Sequence, residues 1–180
     1  MKGQLDTLVA AASAAADWFR RPAPSALSAA RTARLREMGW SDAAVTAHKS
    51  LSGFAKADAA DAAFALREAV EHCAQAVAEG ARYGVEPDLS LCRTAEAVRE
   101  AAKALLTAAA VRGARRAESL VLAKKWAGEA ERLRRLTRSS AHEDPSLTEA
   151  LKRETISTRL SNAAEAVQQA CDALAGSLVG

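Results

Sequence analysis

At 180 residues the chain has room for one domain with a sizeable core, and 49% of it is apolar. Roughly a quarter of the residues are alanine and only 4% are aromatic, while nine glycines and four prolines are too few for the many turns of an all-β protein, so the class is all-α. A net charge of +3, from 25 basic and 22 acidic residues interspersed along the chain, gives no general case for nucleic acid.

The first predicted helix runs from about Gln4 to Arg20 and stops before Pro22 and Pro24. Its uncharged run, Thr7–Ala16, is too short and too weakly hydrophobic to span a bilayer. Lys2 before that run gives a faint look of a signal peptide, but Asp6 interrupts it and the run is mostly alanine, so an amphipathic helix is the better reading. Helix two starts from a Ser25 cap and continues to about Phe54, with an irregularity expected at Gly39-Trp40-Ser41-Asp42, where Ser41 or Asp42 caps a fresh segment and Trp40 acts as a plug. Asp58 is expected to cap helix three, which ends at Tyr83 before Gly84.

Pro87-Asp88 opens helix four, and Arg112-Gly113 closes it. Helix five follows to about Ser140, with Leu122, Trp126, Leu133 and Leu136 as its expected apolar stripe and Trp126 as core packing. Its span Arg112–Arg138 carries nine Arg or Lys against three Glu, a basic face suited to an acidic partner or an anionic membrane surface if it is more than a solvated face. The run His142-Glu143-Asp144-Pro145 breaks the helix, and Ser146 caps helix six with Glu149 as its capping-box partner. Helix six is expected to reach Leu174, about 45 Å long. Its stripe is Leu147, Leu151, Ile156, Leu160, Ala163, Val167, Ala170 and Leu174. Long helices with short connections pack antiparallel, so the expected fold is an antiparallel bundle of about six helices in a single domain spanning 1–180.

Chemistry is harder to find. No nucleophile elbow, zinc-protease, phosphate-loop or dinucleotide motif occurs. His72 and Cys73 are sequence neighbours, which on a helix point about 100° apart and make no ready ion pair. Cys73, Cys92 and Cys171 form no paired motif, which favours small core residues in a reducing compartment over a disulfide frame or zinc site. The sequence thus argues against an enzyme. Four segments carry half of a carboxylate pair at four-residue spacing, a pattern that can clamp a hard cation between helices: 37–41, 67–71, 127–131 and 161–165, which hold Glu37, Glu71, Glu131 and Glu165. The first two segments lie 30 residues apart and the last two 34, so a three-helix unit is expected to occur twice, in halves of about 1–85 and 86–180.

These segments carry a resemblance. Leu66-Arg-Glu-Ala-Val-Glu71 resembles the L-D-D-x-x-D element of the PhoU-like family, accessory proteins of inorganic phosphate transport. Glu129-Ala-Glu-Arg-Leu-Arg-Arg135 resembles its E-A-D-R-x-x-R stretch. Asp144-Pro145 followed by Ile156, Leu160 and Glu165 resembles its final helix, and Leu51 and Phe54 fit the end of its second. The resemblance implies two three-helix repeats with metal clusters on E/D-x-x-x-D pairs. This chain departs there, with Arg67, Ala127 and Ser161 in place of first acids and Ser41 in place of a second, and Arg67 is free to pair with Glu71 instead.

What the resemblance then implies is a cytoplasmic, non-catalytic accessory or regulator of phosphate transport. Its partner would be a membrane phosphate transporter or its regulator, met by protein contact, with peripheral membrane contact and a homodimer both open. No cofactor is expected, and at most one weakly bound metal ion on Glu37, Glu71, Glu131 or Glu165. The alternative is an alanine-rich structural or assembly bundle, phasin-like or an oligomeric scaffold, with no link to phosphate.

Overall fold

The computed structural model describes the backbone of residues 1–48, 54–86, 88–140 and 146–176, and side chains within 1–40, 58–86, 88–138 and 146–175. The described residues form six helices: α1 (Lys2–Arg20), α2 (Pro24–His48), α3 (Phe54–Tyr83), α4 (Leu89–Ala110), α5 (Ala114–Ser140) and α6 (Leu147–Gly176). None of them is long and apolar enough to cross a membrane.

Several boundaries follow from the chemistry of their end residues. Gly84 adopts φ +61°, and the Val85 amide donates back to the Gly80 carbonyl at 3.1 Å, so α3 ends in a Schellman closure that buries Val85. The Asp88 carboxylate accepts from the Leu91 amide at 2.7 Å and starts α4. The Ser146 hydroxyl accepts from the Glu149 amide at 3.4 Å. The Glu149 carboxylate also accepts from Lys152 at 2.7 Å.

Other expectations need correction. Pro24, not Ser25, opens α2: proline suits the first helical position, and the Ala26 amide bonds the Ala23 carbonyl at 3.1 Å. No irregularity interrupts α2 at Gly39, since glycine inside a helix costs only about 1 kcal/mol against alanine and packing overrides it. Trp40 is no plug; it is exposed and lies over α1, with ring atoms where a side chain at Gly3 would stand. Asp58 sits inside α3, which already begins at Phe54. The end of helix two beyond His48, including Leu51, and the breaker His142–Pro145 lie outside the described residues.

Alanine decides the packing. In α5 the expected leucine stripe is displaced: Leu122 and Leu136 are exposed, while Leu120, Ala123, Ala127, Ala130 and Leu133 are buried. Trp126 packs on the rim of the core, half-buried. A face of small residues lets neighbouring axes approach, so the core takes the alanine register and leaves the larger side chains at its edges. In α6 the stripe holds from Ile156 to Leu174, but Leu147 and Leu151 are 75% and 57% exposed. Cys73 and Cys171 are buried and Cys92 is half-buried, all as free thiols.

The helices pack as two equivalent trios. Within the first, α1, α2 and α3 all touch, and within the second α4, α5 and α6 do the same. Among the described residues the trios meet through α1 against α4 and α3 against α6, each a helix against its own counterpart. Burial repeats with the same logic. Leu5, Leu8, Ala11 and Ala15 of α1 match buried Ala95, Val98, Ala101 and Leu105 of α4, each 90 positions on. Ala30 and Ala33 match Leu120 and Ala123 at the same shift, and Leu66, Ala69, Cys73 and Ala76 match Leu160, Ala163, Val167 and Ala170 at 94.

Candidate functional site

Between α2 and α3 lies a cavity of about 290 Å³, lined by Arg34, Glu37, Met38, Arg67, Val70 and Glu71. Helical spacing puts Arg34 and Glu37 on one face of α2, and Arg67 and Glu71 on the facing side of α3. Glu37 is only 2% exposed. Its Oε1 accepts from the Gln4 amide of α1 at 3.0 Å, and its Oε2 is buried with no partner among the described residues. Burial pushes its pKa above the usual carboxylate value, and the Gln4 hydrogen bond and the Arg67 charge pull only partly the other way. Glu71 is satisfied differently, accepting from Arg34 Nε at 2.6 Å and Gln75 Nε2 at 2.7 Å. The expected Arg67–Glu71 pair does not form. Arg67 lies over the Phe64 ring, 5.3 Å from its centroid, with no carboxylate within 4 Å among the described residues.

Between α5 and α6 lies a cavity of about 620 Å³, whose lining includes Ala127, Gly128, Glu131, Ser161, Ala164 and Glu165. Here the carboxylate is saturated. Glu131 accepts from Arg134 Nε and Nη2 at 2.9 and 3.1 Å, from Arg135 Nε at 3.0 Å, and from the Ser161 hydroxyl. The fork from Arg134, followed by Ser161 and Arg135, outweighs its partial burial and holds its carboxyl down at about 2. Glu165 is exposed at the edge of the same cavity.

The two cavities are counterparts. At the shift of 90, Glu37 and Met38 correspond to Ala127 and Gly128; at 94, Arg67, Val70 and Glu71 correspond to Ser161, Ala164 and Glu165. Smaller residues at four of these five positions account for the larger second cavity. The four singled-out glutamates are therefore brought together as two separate pairs, Glu37 with Glu71 and Glu131 with Glu165. Sequence reasoning missed Gln4, Arg34, Gln75, Arg134, Arg135 and Ser161 as their partners. Gln75, Arg134 and Arg135, three or four positions from their glutamates, carried a local signal.

The residues present do not fit a multinuclear metal cluster. The carboxylates of Glu71 and Glu131 are occupied by arginines, and among the described residues no three His, Cys, Asp or Glu side chains group to hold an ion. Elsewhere the reactive types are muted. Burial pushes the Cys73 thiol up to about 12, away from thiolate chemistry. Burial and the Arg159 charge lower the His72 pKa, and its Nδ1 has no partner among the described residues. No protein-family model matches this chain, and no curated protein matches it.

Proposed function

We propose that this chain is a non-catalytic binding protein on a PhoU-like scaffold, an accessory or regulator of inorganic phosphate transport that acts by protein contact at the cytoplasmic side. The observation that carries this reading is the duplicated trio of helices with counterpart cavities where the resemblance puts the acid pairs of that family. The metal ligands are largely replaced by arginine, alanine and serine, so the scaffold works without a cluster. The chemistry of the side chains supports a binding role: Cys73 is held as an inert thiol, and the best-satisfied carboxylate, Glu131, is locked by cations rather than poised as a base.

The basic end of α5 is the contact surface we favour. Arg132, Arg135 and Arg138 are exposed there, each beside an acid, Glu129, Glu131 or Glu154. Deleting the gene in its own host should change uptake of radiolabelled phosphate under phosphate-rich or phosphate-poor growth. Unchanged uptake in both would overturn the assignment. A second reading, the structural or assembly bundle, is favoured by one observation: Leu147 and Leu151 stand one turn apart on α6 and are exposed. A sedimentation series in which the chain self-associates, and Leu147→Glu abolishes that, would move the assignment to this reading.

A further inference from the structure

The α2–α3 cavity holds an unmatched pair of opposite charges. Glu71 and Arg34 neutralise one another across it, and Gln75 completes Glu71. That leaves two groups unused. Glu37 keeps one carboxyl oxygen hydrogen-bonded to Gln4 and the other without a partner among the described residues, although the side chain is almost wholly buried. Arg67 keeps its charge beside the Phe64 ring, with no carboxylate within 4 Å among the described residues. Unsatisfied buried polar atoms are uncommon and costly in native proteins, and a ligand is one of the few things that resolves them.

From this geometry we propose that the α2–α3 cavity binds a small zwitterion, with its ammonium group on the free oxygen of Glu37 and its carboxylate on the Arg67 guanidinium. Electrostatics select this class over its halves. A simple amine entering the cavity meets the Arg67 guanidinium, and a simple carboxylate meets Glu37, so each gains one contact and suffers one repulsion. A molecule bearing both charges satisfies both residues and adds no net charge to a cavity whose two arginines and two glutamates already balance. The volume of about 290 Å³ admits an amino-acid-sized molecule and little more. Met38 and Val70 supply the apolar wall against which its carbon skeleton would lie. The counterpart cavity lacks both groups, having Ala127 for Glu37 and Ser161 for Arg67, so it is not expected to share the specificity.

Titration calorimetry on the purified full chain tests this with glycine, β-alanine and γ-aminobutyrate, three zwitterions of increasing charge separation, against methylammonium and acetate. The expected result is one site per chain for at least one zwitterion, with both single-charge probes at least about tenfold weaker. Arg67→Ala, at an exposed position that the fold does not depend on, and the near-isosteric Glu37→Gln should each weaken binding by about tenfold or more. Lys125→Ala, exposed on α5 and outside this cavity, should leave it unchanged. No heat from any zwitterion up to about 10 mM overturns the proposal. So does equal binding of methylammonium, or zwitterion binding that survives both Arg67→Ala and Glu37→Gln. Phosphate uptake does not enter the test, so a failure of the transport reading leaves this one standing, and the reverse holds too.

Discussion

The α2–α3 and α5–α6 cavities occupy corresponding places in the two trios, and each has one acid on its first helix, but at opposite members of the four-residue pair. The first has Glu37, which lines the cavity, is almost wholly buried and is met by a single neutral amide. The second has alanine at that position, and its acid is one turn further on, at Glu131, where two arginines and a hydroxyl reach it. A shift of one helical turn, about 5.4 Å, thus separates a carboxyl made costly by burial from one stabilised by its partners. The lesson is that the residue type says little about a carboxylate's state until its depth and its neighbours on other helices are known.

The comparison can be broken most severely in the core. Ala69 and Ala163 are counterparts and both are fully buried. Leucine at either should cost about 2–3 kcal/mol in urea unfolding, and similar costs at the two would sharpen the equivalence of the trios. A difference of more than about 1.5 kcal/mol would break it.

Next in size is Glu131→Gln, which takes the shared charge partner from Arg134 and Arg135, leaving Arg134 only Glu154 at 3.8 Å, and should lose about 1–2 kcal/mol at neutral pH. Because the folded chain holds this carboxyl at about 2 against an ordinary 4.5, its contribution is present above about pH 4.5 and drains away as pH falls toward 2. The variant should therefore have a flatter acid limb in a pH series of unfolding midpoints.

Glu37→Gln should act with the opposite sign. The folded state binds this proton more tightly than the unfolded chain does, so the stabilisation is complete below about pH 4.5 and is lost as pH rises through the raised pKa. Removing the charge should raise stability by about 0.5–1 kcal/mol at pH 8 and do little at pH 4. A loss of stability at pH 8 would show that the Gln4 contact dominates. The smallest effect belongs to Arg67→Ala, within about 0.5 kcal/mol by thermal melting, since its cation–π contact is exposed.

Where the chain ends its helices was legible wherever a single side chain or a single φ decides the matter. Gly84, Asp88 and Ser146 are of that kind. Gly39 misled because a local penalty of about 1 kcal/mol is small against the contacts that hold α2 in place. The register of α5 misled because leucine is the usual marker of a buried face, whereas here Ala123, Ala127 and Ala130 take the core and leave Leu122 and Leu136 outside. At the site, the four acids were visible as a spacing, but their partners were not. Gln4 lies 33 positions from Glu37, and Arg34 lies 37 from Glu71, so only the folded packing brings them together.

The seams between the trios, α1 on α4 and α3 on α6, are the kind of self-matching contact by which two identical chains pair about a dyad. In a true pair of identical chains every substitution is forced to appear on both sides at once. Within one polypeptide no such constraint holds, so one trio can carry a buried acid where the other carries alanine, as Glu37 and Ala127 do. A single chain that contains both trios can thus carry two different sites in place of one site twice.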